Sequence, residues 1–203
     1  MMRFKRFASA AWLLLLPTVH SVASPEASYE FGTPRYSGDG CAPGTLSSAL
    51  SPDRTSVSVL LDGFNPRAGA EHPDSSEVFC RILIPLSWPE SMRLKRLAVD
   101  YAGAVSLPDQ GEGWLEITQV LGPTQARLSR AWTGPLEGGF EESVELSSSG
   151  CGGQTELELD LKLGLRANAL RELTLAALDS IDSGGPGPGR ARFRARVDLI
   201  PCP

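Results

Sequence analysis

Histidine is nearly absent from this chain of 203 residues: there are two, His20 and His72. A nucleophile needs a base beside it, and zinc draws on imidazoles or on thiolates in close pairs. His72 stands in Ala70-Glu71-His72-Pro73-Asp74 without a nucleophile motif nearby. Cysteine is equally sparse. Cys41, Cys80, Cys151 and Cys202 are widely spaced and never approach C-x-x-C. No metal and no other cofactor is therefore expected. Long apolar runs are missing beyond the first two dozen residues, so no membrane span is expected in the mature chain. Basic residues are too few for a polyanion partner: 19 Lys and Arg face 24 Asp and Glu, a formal charge of −5. That balance disfavours nucleic acid and anionic lipid.

The N-terminus reads as an export signal. Arg3, Lys5 and Arg6 precede an apolar stretch from Phe7 to Leu16, Pro17 breaks it, and Ser21-Val22-Ala23 offers small residues to a peptidase. Residues 1–23 are predicted to be removed, because the apolar run is too short for a bilayer core of about 30 Å. The loss of three basic side chains takes the formal charge to about −8. Residues 24–40 read as a flexible leader and 41–203 as one domain, secreted to a periplasm or to the extracellular space.

Four cysteines in an exported chain predict two disulfides, with three connectivities open. The sequential pairing, Cys41 with Cys80 and Cys151 with Cys202, is favoured because it needs no long crossing. Each loop closed that way is worth about 4 kcal/mol in the chain-entropy model.

Apolar residues recur with period two. Leu157, Leu159, Leu161, Leu163 and Leu165 alternate with Glu156, Glu158, Asp160, Lys162 and Arg166. A strand puts those leucines on one face, whereas a helix would scatter them. Residues 191–199 alternate likewise, with Arg192, Arg194 and Arg196 on the polar side. Shorter strands are predicted at 56–61, 78–86, 94–107 (Gly103 marking a bulge), 114–121, 126–132, 140–146 and 172–178. The segment 167–177 could alternatively form a helix through Leu170, Leu173 and Ala177. Turn clusters separate these runs, and Gly184 to Gly189 reads as a loop. The prediction is an all-β, antiparallel two-sheet sandwich, jelly-roll or Ig-like, of about nine strands, with a closed barrel as the alternative.

The motif order resembles a known family. Gly40-Cys41-Ala42-Pro43-Gly44-Thr45, Leu50-Ser51-Pro52-Asp53 and Leu61-Asp62-Gly63-Phe64 come first. Cys80-Arg81-Ile82-Leu83-Ile84-Pro85, Val99-Asp100-Tyr101-Ala102-Gly103 and Trp132-Thr133-Gly134-Pro135 follow, then Cys151-Gly152 and Cys202. In order and spacing this resembles the secreted four-cysteine proteins of domain-of-unknown-function family 4360, found in bacteria and fungi. The likeness covers nearly all of the mature chain. The arginine-rich last strand and the long Gly-Pro loop depart from the family pattern. The resemblance implies a fold and carries over no catalytic residue.

Candidate chemistry is thin. Asp62 and Asp100 fall near strand ends and are the carboxylates a hydrolase would use, without a spacing that pairs them; Glu141-Glu142 reads as a solvated edge. Trp88, Trp114 and Trp132 are the candidate ligand-binding residues, since strand-end tryptophans either cap a core or present a stacking surface. Trp114 shares parity with Glu116 and Thr118. The acidic row Glu156, Glu158 and Asp160 would meet the arginines of the last strand if the two strands are neighbours. The loop Asn65 to Ser76 is where an inhibitor would insert into a partner. The chain thus reads as a secreted binding or surface protein without catalytic residues. A carbohydrate-binding module and a secreted hydrolase are the alternatives, and a glycan or another extracellular protein is the candidate partner.

Overall fold

The computed structural model describes residues 29–147, 150–182 and 196–203. The expected signal, the Gly184 to Gly189 loop and Arg190, Arg192 and Arg194 lie outside the described residues. Among the described residues twelve strands are present, not nine: β1 (Glu30–Phe31), β2 (Arg35–Ser37), β3 (Leu46–Leu50), β4 (Val57–Leu61), β5 (Arg67–Ala68) and β6 (Ser75–Leu107). They continue with β7 (Glu112–Leu121), β8 (Thr124–Thr133), β9 (Leu136–Leu146), β10 (Cys151–Arg166), β11 (Thr174–Asp182) and β12 (Arg196–Pro201). A 3₁₀ turn spans Asp39–Cys41, and no α-helix occurs among the described residues.

The strands form an antiparallel sandwich whose two layers share β6. Its first half, to Trp88, pairs with β10 along one edge and with β1 and β2 along the other, and β7 and β8 extend the layer beyond β10. Its second half, from Met92, pairs with β9 on one edge and with β11 and β12 on the other. Beyond β11 lie β4 and then β3, while β5 adds to β11. The segments predicted as separate strands at 78–86 and 94–107 are thus one continuous strand. Pro89 and Glu90, which lie between the two predicted segments, continue the extended backbone.

Alternation fills the core as expected. All five leucines from Leu157 to Leu165 are buried, each worth roughly 1.5–3 kcal/mol relative to exposure. They meet Ile82, Ile84 and Leu86 of β6 and Leu115 and Ile117 of β7 in one cluster. Across the layers, Gln119 Nε2 of β7 donates to the Tyr101 hydroxyl of β6 at 2.7 Å. Burial raises the Tyr101 pKa well above its ordinary value, against the opposing hydrogen bond from Gln119. Trp132 of β8 packs on Phe140 of β9, ring centroids 5.0 Å apart. Gly103 makes room for that ring: a Cβ there would lie 2.5 Å from Phe140 Cζ. The expected irregularity beside Gly103 falls on the neighbouring strand, between Leu178 and Ser180 of β11.

Both disulfides follow the sequential pairing. Cys41–Cys80 has a Cα separation of 5.5 Å and Cys151–Cys202 one of 5.9 Å. The first is sealed in the core and the second reaches the surface at Cys151. Within the expected leader, residues 29–40 differ from that reading: β1 and β2 pair with β6, and Phe31 is fully buried. The alternative helix at 167–177 is a turn instead. Asn168 accepts the Glu172 N–H at 3.0 Å through its side-chain oxygen, and β11 starts at Thr174.

The last strand and the acidic row are not neighbours. β12 pairs with the second half of β6, whereas Glu156, Glu158 and Asp160 sit on β10 in the other layer. Arg35 of β2 pairs with Glu156, and Arg81 of β6 reaches Asp160 at 2.7 Å and Glu158 at 3.0 Å. The hydrogen bond from Arg81 to Asp160, then the carboxylate's charge, raises the Arg81 pKa above its usual value. Exposed pairs of this kind contribute about 0–1 kcal/mol each.

Candidate functional site

The outward positions of β10 order a broad polar face. From one end of the strand to the other they are Arg166, Gly164, Lys162, Asp160, Glu158, Glu156 and Gln154. Register places Trp114 of β7 and Glu77 of β6 on either side of Gly164. Glycine at that point has a consequence. A Cβ at Gly164 would overlap Cε2 and Cζ2 of the Trp114 indole, so the ring lies across bare backbone. Its Nε1 donates to Glu77 Oε2 at 3.1 Å, which fixes the ring's far edge. Trp114 is half-buried and belongs neither to the core nor to the side chains packed against it. Arg166 and Glu112, joined at 2.9 Å, flank it on one side, and Lys162 and Glu116 face each other on the next row.

The other two tryptophans point the opposite way. Trp88 continues the inward parity of Cys80, Ile82, Ile84 and Leu86 and is 9% exposed. Gly153 packs on its ring, a Cβ there lying 2.7 Å from Trp88 Cζ2. Its indole N–H is buried without an acceptor among the described residues. Trp132 is half-buried between the layers beside Phe140. The three rings therefore do not assemble into one platform, and Trp114 alone lies on the outer face.

The carboxylates singled out from sequence lie elsewhere. Asp62 is exposed in the turn after β4, where its carbonyl accepts from Asn65 Nδ2 at 3.1 Å. Asp100 lies on the outward side of β6 opposite Ser143 of β9. Glu142 pairs with Arg130 of β8 at the layer edge. His72 sits in the turn between β5 and β6, its N–H bonded to the Gly69 carbonyl at 2.8 Å. Much of the Asn65 to Ser76 loop is anchored: β5 pairs with β11, and Asp74 meets Arg171 at 2.7 Å. Among the described residues no group of three or more His, Cys, Asp or Glu could hold a metal ion, and no helix is long and apolar enough to cross a membrane.

Sequence reasoning does not single out Glu77 and Gly164, although a signal for Gly164 exists. Glycine interrupts an otherwise charged outer row, and glycine inside a strand often marks the close approach of another group. Two adjoining cavities, of about 420 and 870 Å³, open at the other end of the first layer and were equally invisible.

The family described as domain of unknown function (DUF4360) matches residues 31–185. The chain belongs to the DUF4360 family. An uncharacterized secreted protein of Arthroderma benhamiae is 26% identical over 156 residues, which cover 73% of this chain. The chain spans 64% of that relative's length. With two disulfides and a secreted relative, this DUF4360 chain is a secreted protein. Among solved structures, TmCBM61 in complex with beta-1,4-galactotriose is 14% identical, with a TM-score of 0.34 over 76% of this chain and 90% of that one. No residue or ligand is carried over from it.

Proposed function

We propose that this secreted DUF4360 protein binds glycan without transforming it, and that Trp114 is the surface on which a sugar ring stacks. The observation that carries this reading is the seat of Trp114: an indole laid over Gly164 and tethered to Glu77, outside the core. A rigid, half-buried aromatic on the outer face, flanked by hydrogen-bonding groups, suits a ligand that is apolar on its ring face and polar at its rim. Glu112, Arg166, Lys162 and Glu116 supply that rim. Holding the ring in place before the ligand arrives also lowers the ordering cost of binding.

Pull-down on cellulose, chitin and yeast cell-wall glucan tests the proposal. The protein is expected to be retained on at least one of them. Trp114→Ala should lose that retention while its melting transition stays where it was. Failure to bind all three, or retention indifferent to Trp114→Ala, would reject the reading.

A further inference from the structure

We propose that the glycan site does not end at Trp114 but runs the length of β10 to a second subsite, and that its ligand is a linear, uncharged polysaccharide. This rests on the preceding reading of Trp114 and extends it to a substrate class.

At the far end of the same face, Gln154 pairs with Ser87 of β6, and Ser87 with Glu30 of β1. These side chains line both cavities there, with Gly32 and Pro85 flooring the smaller and Glu90 and Gly152 the larger. Register along β10 shifts only between Cys151 and Gly153, so Gln154 and Gly164 share one face without interruption. Ten residues separate them, about 33 Å at the rise of an extended strand. That length calls for a chain of sugars rather than a single ring. A hydroxyl and a carboxamide both donate and accept, which suits sugar hydroxyls.

Charge selects among polysaccharides. Between the two ends the charged side chains include mutually compensating groups, Arg81 with Asp160 and Glu158 and Arg35 with Glu156, and just beyond Trp114 Arg166 is paired with Glu112. The cavities add the carboxylates of Glu30 and Glu90, which outnumber the one further guanidinium there, that of Arg54, whose Nε is bonded to the Phe31 carbonyl. A polyanionic chain would meet like charge there, while a neutral chain meets hydrogen-bonding groups already held in place.

Isothermal titration calorimetry with neutral β-linked disaccharides and hexasaccharides of glucose, N-acetylglucosamine, mannose and xylose provides the test, with polygalacturonate as the charged comparison. For at least one sugar the hexasaccharide is expected to bind roughly tenfold or more tighter than its disaccharide, because the second contact becomes intramolecular. The double variant Ser87→Ala/Gln154→Ala should remove that advantage and leave disaccharide affinity intact. Thermal melts check that the fold survives. A Trp114-dependent disaccharide affinity with no length advantage, or an advantage untouched by the double variant, would overturn the second subsite and leave the Trp114 platform standing. Absence of binding to every neutral sugar would overturn both, and tighter binding of polygalacturonate would overturn the assignment to an uncharged chain.

Discussion

Replacing Cys41 and Cys80 together with alanine is expected to lower stability by about 4 kcal/mol, the loop-closure value for a separation near forty residues. The pair deserves that weight for a structural reason as well. Both sulfurs are buried, and the crosslink fastens the 3₁₀ turn Asp39–Cys41 against the first part of β6. Beside it, Gly40 sits so close to Phe64 that a Cβ would lie 2.7 Å from the ring's Cε2. Alanine is the right replacement, since serine would bury a hydroxyl and add a separate cost. Urea unfolding of the double variant against the parent measures the effect. A loss below about 1 kcal/mol would mean that the unfolded chain is already restrained without the bond. The second crosslink offers an internal contrast. Cys151 is exposed, so a small dithiol should reduce Cys151–Cys202 while Cys41–Cys80 remains intact.

Gly164→Val is expected to leave the fold intact and abolish binding. A Cβ at this position overlaps Cε2, Cζ2 and Nε1 of Trp114, and no backbone atom is among the nearest contacts. The indole is a surface side chain, so it can swing away while β10 keeps its register. Valine, moreover, suits the centre of a sheet better than glycine. The melting temperature should therefore hold or rise. Losing its flat seat and its bond to Glu77, Trp114 should move into water, with a red shift in tryptophan emission. Retention on polysaccharide should fall to the level of Trp114→Ala. Undiminished retention by a well-folded Gly164→Val would show that the laid-down ring is not what the ligand meets.

How much of this was legible depended on the length of each pattern. The row Leu157 to Leu165 repeats often enough to fix both the strand and its buried face, and the structure keeps every one of those leucines inside. β1, β2 and β5 are two or three residues long, too short to show any alternation, and are defined by their partner β6 or β11 instead. That is why Phe31 reads as part of a leader yet is a core residue. The acidic row on β10 illustrates a different gap. Alternation says which face Glu156 and Asp160 occupy but not which strand lies alongside, and Arg35 and Arg81 take the place assigned to the last strand's arginines. The tryptophans divide in the same way. Parity puts Trp114 with Glu116 and Thr118, and Trp88 with Cys80 and Ile82, so their faces can be read from the chain. The glycine beneath Trp114 and the carboxylate at its edge come from other strands, and only pairing reveals them.

The most direct measurement is the indole N–H region of a ¹H–¹⁵N spectrum during titration with the neutral hexasaccharides. Trp114 should respond, its resonance shifting in proportion to ligand bound, while the half-buried indole of Trp132, packed on Phe140, holds still; Trp88 lines the larger cavity of the second subsite and does not serve as the fixed reference. An unmoved Trp114 signal in the presence of every sugar, or shifts confined to Trp88 and Trp132, would contradict the account.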